Sequence, residues 1–162
     1  MRLPLATIGS MPYNHTQYGR WLYILFALTL ATLAGIWLAR SDATVVVMLW
    51  AIAAIYSFCG LVFGSLTTWD KGDYLALRFG PLPLLRKRIR YADITGIEVS
   101  RSKVIDGWGV HYMPGRGWTY NIWGFDCVKL TLGRKIIRVG TDDAEGLATL
   151  LCEKTGISSY VE

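Results

Sequence analysis

The alternation of apolar and charged positions divides this chain in two. From Trp21 to Ala39 (WLYILFALTLATLAGIWLA) there is no charged residue. After a short Arg40-Ser41-Asp42 break, a second uncharged run extends from Ala43 to Trp69. About 20 apolar residues in a helix cross a ~30 Å hydrocarbon core, so the pattern predicts two transmembrane helices, at 21–39 and 43–69. The second run is longer than one span needs, which leaves room to tilt or to finish in the interface. The break is too short for anything but an antiparallel hairpin. Residues 1–20, a mostly polar N-terminal tail, and everything after the second run therefore belong on one side of the bilayer.

Beyond Asp70 the period changes from helical to two. Leu75, Leu77 and Phe79 alternate with Tyr74, Ala76 and Arg78, and Gly80-Pro81 ends the run. Leu85, Ile89 and Tyr91 alternate with Arg86, Arg88 and Arg90, with Lys87 on the apolar side. Ile97 and Val99 alternate with Glu98 and Ser100, and Val128, Leu130 and Leu132 with Lys129 and Thr131. These patterns predict half-buried strands, with Gly133-Arg134 as a tight hairpin turn. The last periodic element differs: Ala144, Leu147, Ala148 and Leu151 repeat at helical spacing. Thr141 and Asp142 suit its start, acidic Asp143 and Glu145 suit the positive end of its dipole, and Gly156 suits its stop. Residues 70–162 are thus expected to form a mainly-β, water-exposed domain with a C-terminal helix.

Charge sets the orientation. Of the 17 Lys and Arg residues, only Arg40 belongs to the hairpin turn. Arg2 and Arg20 precede the first span, and Lys71, Arg78, Arg86, Lys87, Arg88 and Arg90 follow the second. Basic residues near spans are retained in the cytoplasm, so both termini are expected there. The rings of Trp21, Tyr23, Trp37 and Trp69 lie near the span ends, where they favour the headgroup layer. A long apolar run followed at once by another reads as a retained signal anchor rather than a cleaved peptide.

Neither span contains Asp, Glu, Lys, Arg or His, the groups on which proton relays and transport pathways usually depend. Small residues recur at four-residue spacing: Ala27, Ala31, Gly35 and Ala39 in the first span, Gly60 and Gly64 in the second. Such rows let helix backbones approach closely, either within this hairpin or against another membrane protein. The three cysteines, Cys59, Cys127 and Cys152, form no CxxC pair and read as small hydrophobes rather than a disulfide framework or zinc site.

Three pieces of sequence carry a family resemblance: Gly107-Trp108-Gly109-Val110; Gly117-Trp118 followed by Tyr120-Asn121; and Ile137-Arg138-Val139-Gly140-Thr141-Asp142-Asp143. Together with the hairpin just before the domain, they resemble the bacterial pleckstrin-homology-like (PH-like) domains of small two-span membrane proteins. His111 and Ala144 depart from the Arg and Pro more usual there. The resemblance implies a membrane α-helical hairpin followed by a PH-like barrel with a C-terminal helix, in the bacterial inner membrane. It carries no enzymatic mechanism, and function has to come from a site.

Two sites stand out. Arg86, Arg88 and Arg90 share one strand face close to the second span. A basic residue near an anionic leaflet contributes about 1 kcal/mol, so the cluster reads as headgroup contact, as an acidic-partner surface, or as a solvated face that fixes topology. Trp108, Tyr112, Trp118, Tyr120 and Trp123 crowd a glycine-rich stretch, as a partner-binding surface or as core filling. No nucleophile elbow, Walker loop or complete dinucleotide fingerprint occurs. No catalytic residue, metal ligand or cofactor is therefore predicted; His111 beside Asp106 or Asp126 is the arrangement that would argue for an enzyme. The net charge of +5 is accounted for beside a membrane without nucleic acid. The expected role is a non-enzymatic membrane-anchored interaction module, an accessory subunit or assembly factor that meets membrane lipids and either other integral membrane proteins or itself. The alternative is a domain that senses anionic lipid.

Overall fold

The computed structural model describes residues 13–102 and 109–161. A first strand, β1 (Asn14–Tyr18), precedes two long helices, α1 (Trp21–Leu38) and α2 (Ala43–Phe63). At 1.5 Å per residue these are about 27 Å and about 32 Å long, and each is apolar enough to cross a membrane. α1 buries no residue and α2 only Ala53 and Val62, so large side chains such as Tyr23, Phe26, Trp37, Val47 and Met48 point outward. Helices that are apolar all round yet unburied in their own protein require an apolar medium. Asp42 accepts hydrogen bonds from the backbone N–H groups of Thr44 and Val45, so the lone acid of the break caps α2.

The second uncharged run does not remain helical to Trp69. α2 stops at Phe63, and the run continues as β2 (Ser65–Asp70), where Thr67 and Thr68 bring β-branched stiffness. β2 pairs antiparallel with β1, from Asn14 opposite Trp69 to Tyr18 opposite Ser65, and Gly19 N–H donates to the Gly64 carbonyl at 3.1 Å. Residues Asn14–Tyr18 of the polar segment before the first helix are thus part of the sheet. The helical hairpin is an insertion between two paired strands, clamped at both feet.

β2 is followed by β3 (Tyr74–Phe79) and β4 (Arg86–Arg90), giving a four-stranded antiparallel sheet in the order β1-β2-β3-β4. A single 3-10 turn (Tyr91–Asp93) leads to β5 (Gly96–Arg101), β6 (Gly109–Met113), β7 (Gly117–Asn121), β8 (Asp126–Leu132) and β9 (Lys135–Gly140). α3 (Ala144–Thr155) and the short β10 (Ser159–Val161) close the chain, and the second sheet has the order β10-β5-β8-β9-β7-β6. The two sheets are separate and do not close into one barrel.

One buried cluster joins them. Leu66, Leu75, Leu77, Phe79 and Ile89 from the first sheet meet Ile97, Val128, Leu130 and Val139 from the second, with Leu147 and Leu151 from α3. The α3 cap is Asp143, one residue later than the sequence suggests, and Asp142 instead meets His15 at 2.5 Å. Gly156, left-handed at the helix C-terminus, stops it as expected. Trp21 also donates its indole N–H to the Ile122 carbonyl at 3.2 Å, so the foot of the hairpin is fastened to both sheets.

Candidate functional site

β4 is an edge strand, and its exposed residues are Arg86, Arg88 and Arg90. Pairing with β3 sets Arg78 opposite Arg86, Ala76 opposite Arg88 and Tyr74 opposite Arg90. The next pairing sets Thr67 opposite Arg78 and Trp69 opposite Ala76. Because strand residues alternate faces, all of these share the outer face of the first sheet. The basic groups lie over rings: Arg78 and Lys71 each 5.6 Å from the Trp69 ring centre, Arg88 5.4 Å from that of Tyr74. Cation–π contacts hold the charges flat without neutralising them. Arg86 donates to the Pro83 carbonyl at 3.0 Å. Among the described residues, none of Arg78, Arg86, Arg88 and Arg90 makes an ion pair.

The site begins at the foot of the hairpin. Gly80 N–H donates to the Ser65 carbonyl at 2.7 Å, and Leu82 N–H reaches the Leu61 carbonyl of α2 at 3.4 Å. The connection between β3 and β4 therefore lies level with the end of α2, with Leu82 and Leu84 exposed and Arg86 immediately after. At about 3.3 Å per residue, Arg90 is ~13 Å farther along the strand. Between this face and the helices lies a cleft of about 950 Å³, lined by Leu22, Phe26, Tyr56 and Gly60 at the helix end and by Thr67 and Arg78 at the sheet end.

The two sequence-predicted surfaces are not brought together. Trp118 is on β7, in the other sheet, opposite Tyr112 and 5.5 Å from it between ring centres; both are exposed. Tyr120 turns inward and is buried, and Trp108 lies outside the described residues. Of the small residues, Gly35 faces Leu49, and Gly60 and Gly64 face Leu22, so these three pack the hairpin against itself. Ala27 and Ala31 are exposed and do not pack the hairpin: a row of four-residue steps rotates by ~40° per step around a helix, so only part of it can face one neighbour.

His111 is opposite Thr119 on β7, Asp126 pairs with Arg101 at 3.1 Å, and Asp106 lies outside the described residues. A smaller cavity of about 400 Å³ collects Asp126, Asp142 and Asp143. These carboxylates are engaged by Arg101, His15 and the start of α3 respectively. Arg78, Lys71, Trp69 and Tyr74 were not singled out from sequence as part of the basic face. Arg78 is in step with Tyr74 in the β3 alternation, but only the β3–β4 register puts it on the face of the arginines.

No family model matches this chain, and comparison with curated proteins finds no relative.

Proposed function

We propose that this chain is a non-enzymatic, membrane-anchored interaction module. Its two helices cross the inner membrane of a bacterium with both chain ends in the cytoplasm, and a PH-like domain presents the arginine face of its first sheet to the anionic leaflet. The observation that carries this reading is the position of Arg78, Arg86, Arg88 and Arg90: one open face, starting at the foot of the hairpin, without a carboxylate partner among the described residues. Four such charges near an anionic surface contribute about 1 kcal/mol each. Two core-sharing sheets and a C-terminal helix support the PH-like assignment, and the concentration of basic residues after α2 supports the orientation.

Hydrogen exchange on the full chain in nanodiscs tests it. The amides of residues 80–90 are expected to exchange more slowly in discs containing phosphatidylglycerol than in phosphatidylcholine alone. Combined Arg86→Gln, Arg88→Gln and Arg90→Gln substitution is expected to remove the difference. Equal exchange of the unaltered chain in both lipids would sink the lipid-facing reading.

A second reading, an accessory or assembly factor of a membrane complex, is favoured by the exposed Tyr112–Trp118 pair on the other sheet, since exposed aromatic pairs are typical interface anchors. A stoichiometric partner recovered in mild detergent is expected to be lost with Trp118→Ala but kept with the arginine substitutions. A partner indifferent to Trp118→Ala excludes this surface as the contact.

A further inference from the structure

The cleft at the foot of the hairpin has two chemically different ends. At the sheet end the lining includes Arg78, whose direct cross-strand neighbour on β4 is Arg86, and like charges so paired destabilise a sheet. Arg78 is half-buried, and its Nε has neither solvent nor a hydrogen-bond partner among the described residues. At the other end the walls are membrane-spanning helix. From Gly64 back to Tyr56 and from Leu22 on to Thr29, the trough runs ~10–12 Å along the helices, away from the sheet. Charge complementarity demands an anion at one end, and the surroundings supply hydrocarbon at the other.

We propose that this cleft holds a single anionic phospholipid, its phosphate at the Arg78 guanidinium on the side of neighbouring Arg86 and an acyl chain in the trough beside Phe26 and Tyr56. Paired guanidiniums suit a phosphate because their planar N–H forks meet its oxygens two at a time. A spanning helix from another chain would fill the trough but leave Arg78 unmatched. The inference rests on the lipid-facing reading above and narrows it from a charged surface to one bound molecule.

The test is native mass spectrometry of the full chain, purified in dodecyl maltoside, stripped of lipid and titrated with phosphatidylglycerol or phosphatidylcholine. One phosphatidylglycerol per chain is expected to be retained, with phosphatidylcholine held at least about tenfold less well. Arg78→Gln is expected to reduce retention about tenfold; it removes an unmatched charge, so it should not harm folding. Ser57→Trp, which fills the trough and leaves both arginines in place, is expected to reduce retention as well. Arg90→Gln, on the same face but far from the hairpin, is expected to retain the lipid. Since Arg90 belongs to the surface tested by exchange, failure of the surface reading and failure of the single-lipid site are separable. Equal retention of the two lipids, no effect of Ser57→Trp, displacement of the lipid by millimolar inorganic phosphate, or a lipid-free dimer would each overturn the proposal.

Discussion

Gly80→Ala is expected to destabilise the domain by at least about 3 kcal/mol, while Gly72→Ala costs only about 1 kcal/mol. Both glycines have positive φ, +57° and +84° respectively, so both alanine variants carry the left-handed backbone cost. They differ in what a side chain would meet. A Cβ on Gly72 has nothing within 4 Å, whereas one on Gly80 would overlap the backbone carbonyl oxygens of Leu61 and Val62 in the last turn of α2. Those atoms belong to a helix whose next residue is already fixed by the β1–β2 clamp, so they have little freedom to give way. Urea unfolding of the full chain in detergent micelles, followed by tryptophan emission, measures both variants against the unaltered protein. Equal losses would mean that the sheet and α2 are not packed at this point.

The same contact explains how the domain keeps its orientation. A domain tethered by one flexible linker would sample many directions relative to the helices. Here the hairpin leaves the sheet through Tyr18 and returns through Ser65, two directly paired residues, while Trp21 is held by Ile122 in the bend just after β7. An arginine face that starts beside such a joint has a fixed direction relative to the hairpin. On the proposed lipid-facing reading, mutating the joint is expected to weaken lipid contact even where every arginine remains.

Absence of charge made the helices legible in the sequence, and it also misplaced the end of the second. An uncharged stretch suits a span and a buried strand equally, so Ser65–Trp69 looked continuous with α2 although Thr67 and Thr68 favour extended backbone. β1 gave no alternation signal because its buried position is filled by Gln17, whose amide donates to the Trp123 carbonyl at 2.9 Å. β3, β5 and β8 were readable because their inward residues are aliphatic or aromatic, and β4 was readable despite Lys87 on its inward side. The arginine face was legible by parity within β4 alone. Its extension to Arg78 needed the β3–β4 register, and the separation of Trp118 onto another sheet needed the long-range pairing of β7 with β9, neither of which leaves a local pattern.

Asp70→Asn is expected to cost about 3 kcal/mol near neutral pH, the second large effect. The Asp70 side chain is buried at the end of β2 and accepts from Lys154 of α3 at 2.6 Å, from the Tyr91 hydroxyl at 2.8 Å and from Gly72 N–H at 2.8 Å. One carboxylate thus ties the first sheet to the C-terminal helix, and an amide in its place would leave the Lys154 ammonium unmatched. Burial pushes the Asp70 carboxyl up, but Lys154, Gly72 N–H and the Tyr91 hydroxyl together outweigh it and hold it below its ordinary 3.8. A lowered folded-state value gives a contribution that is full above 3.8 and lost as pH falls through the folded-state value. The stability difference between the unaltered chain and Asp70→Asn is therefore expected to shrink in acid below pH 3.8, because protonated Asp70 resembles the amide. A difference that stays constant into acid would show that charge is not its source. Tyr91 gives the opposite limb. Burial first, then the hydrogen bond to Asp70 and its charge, raise its hydroxyl above the ordinary 10, so its contribution is full below pH 10 and lost as pH rises through the raised value. Asp70→Asn removes one of those causes, and the variant is expected to lose less stability than the unaltered chain above pH 10.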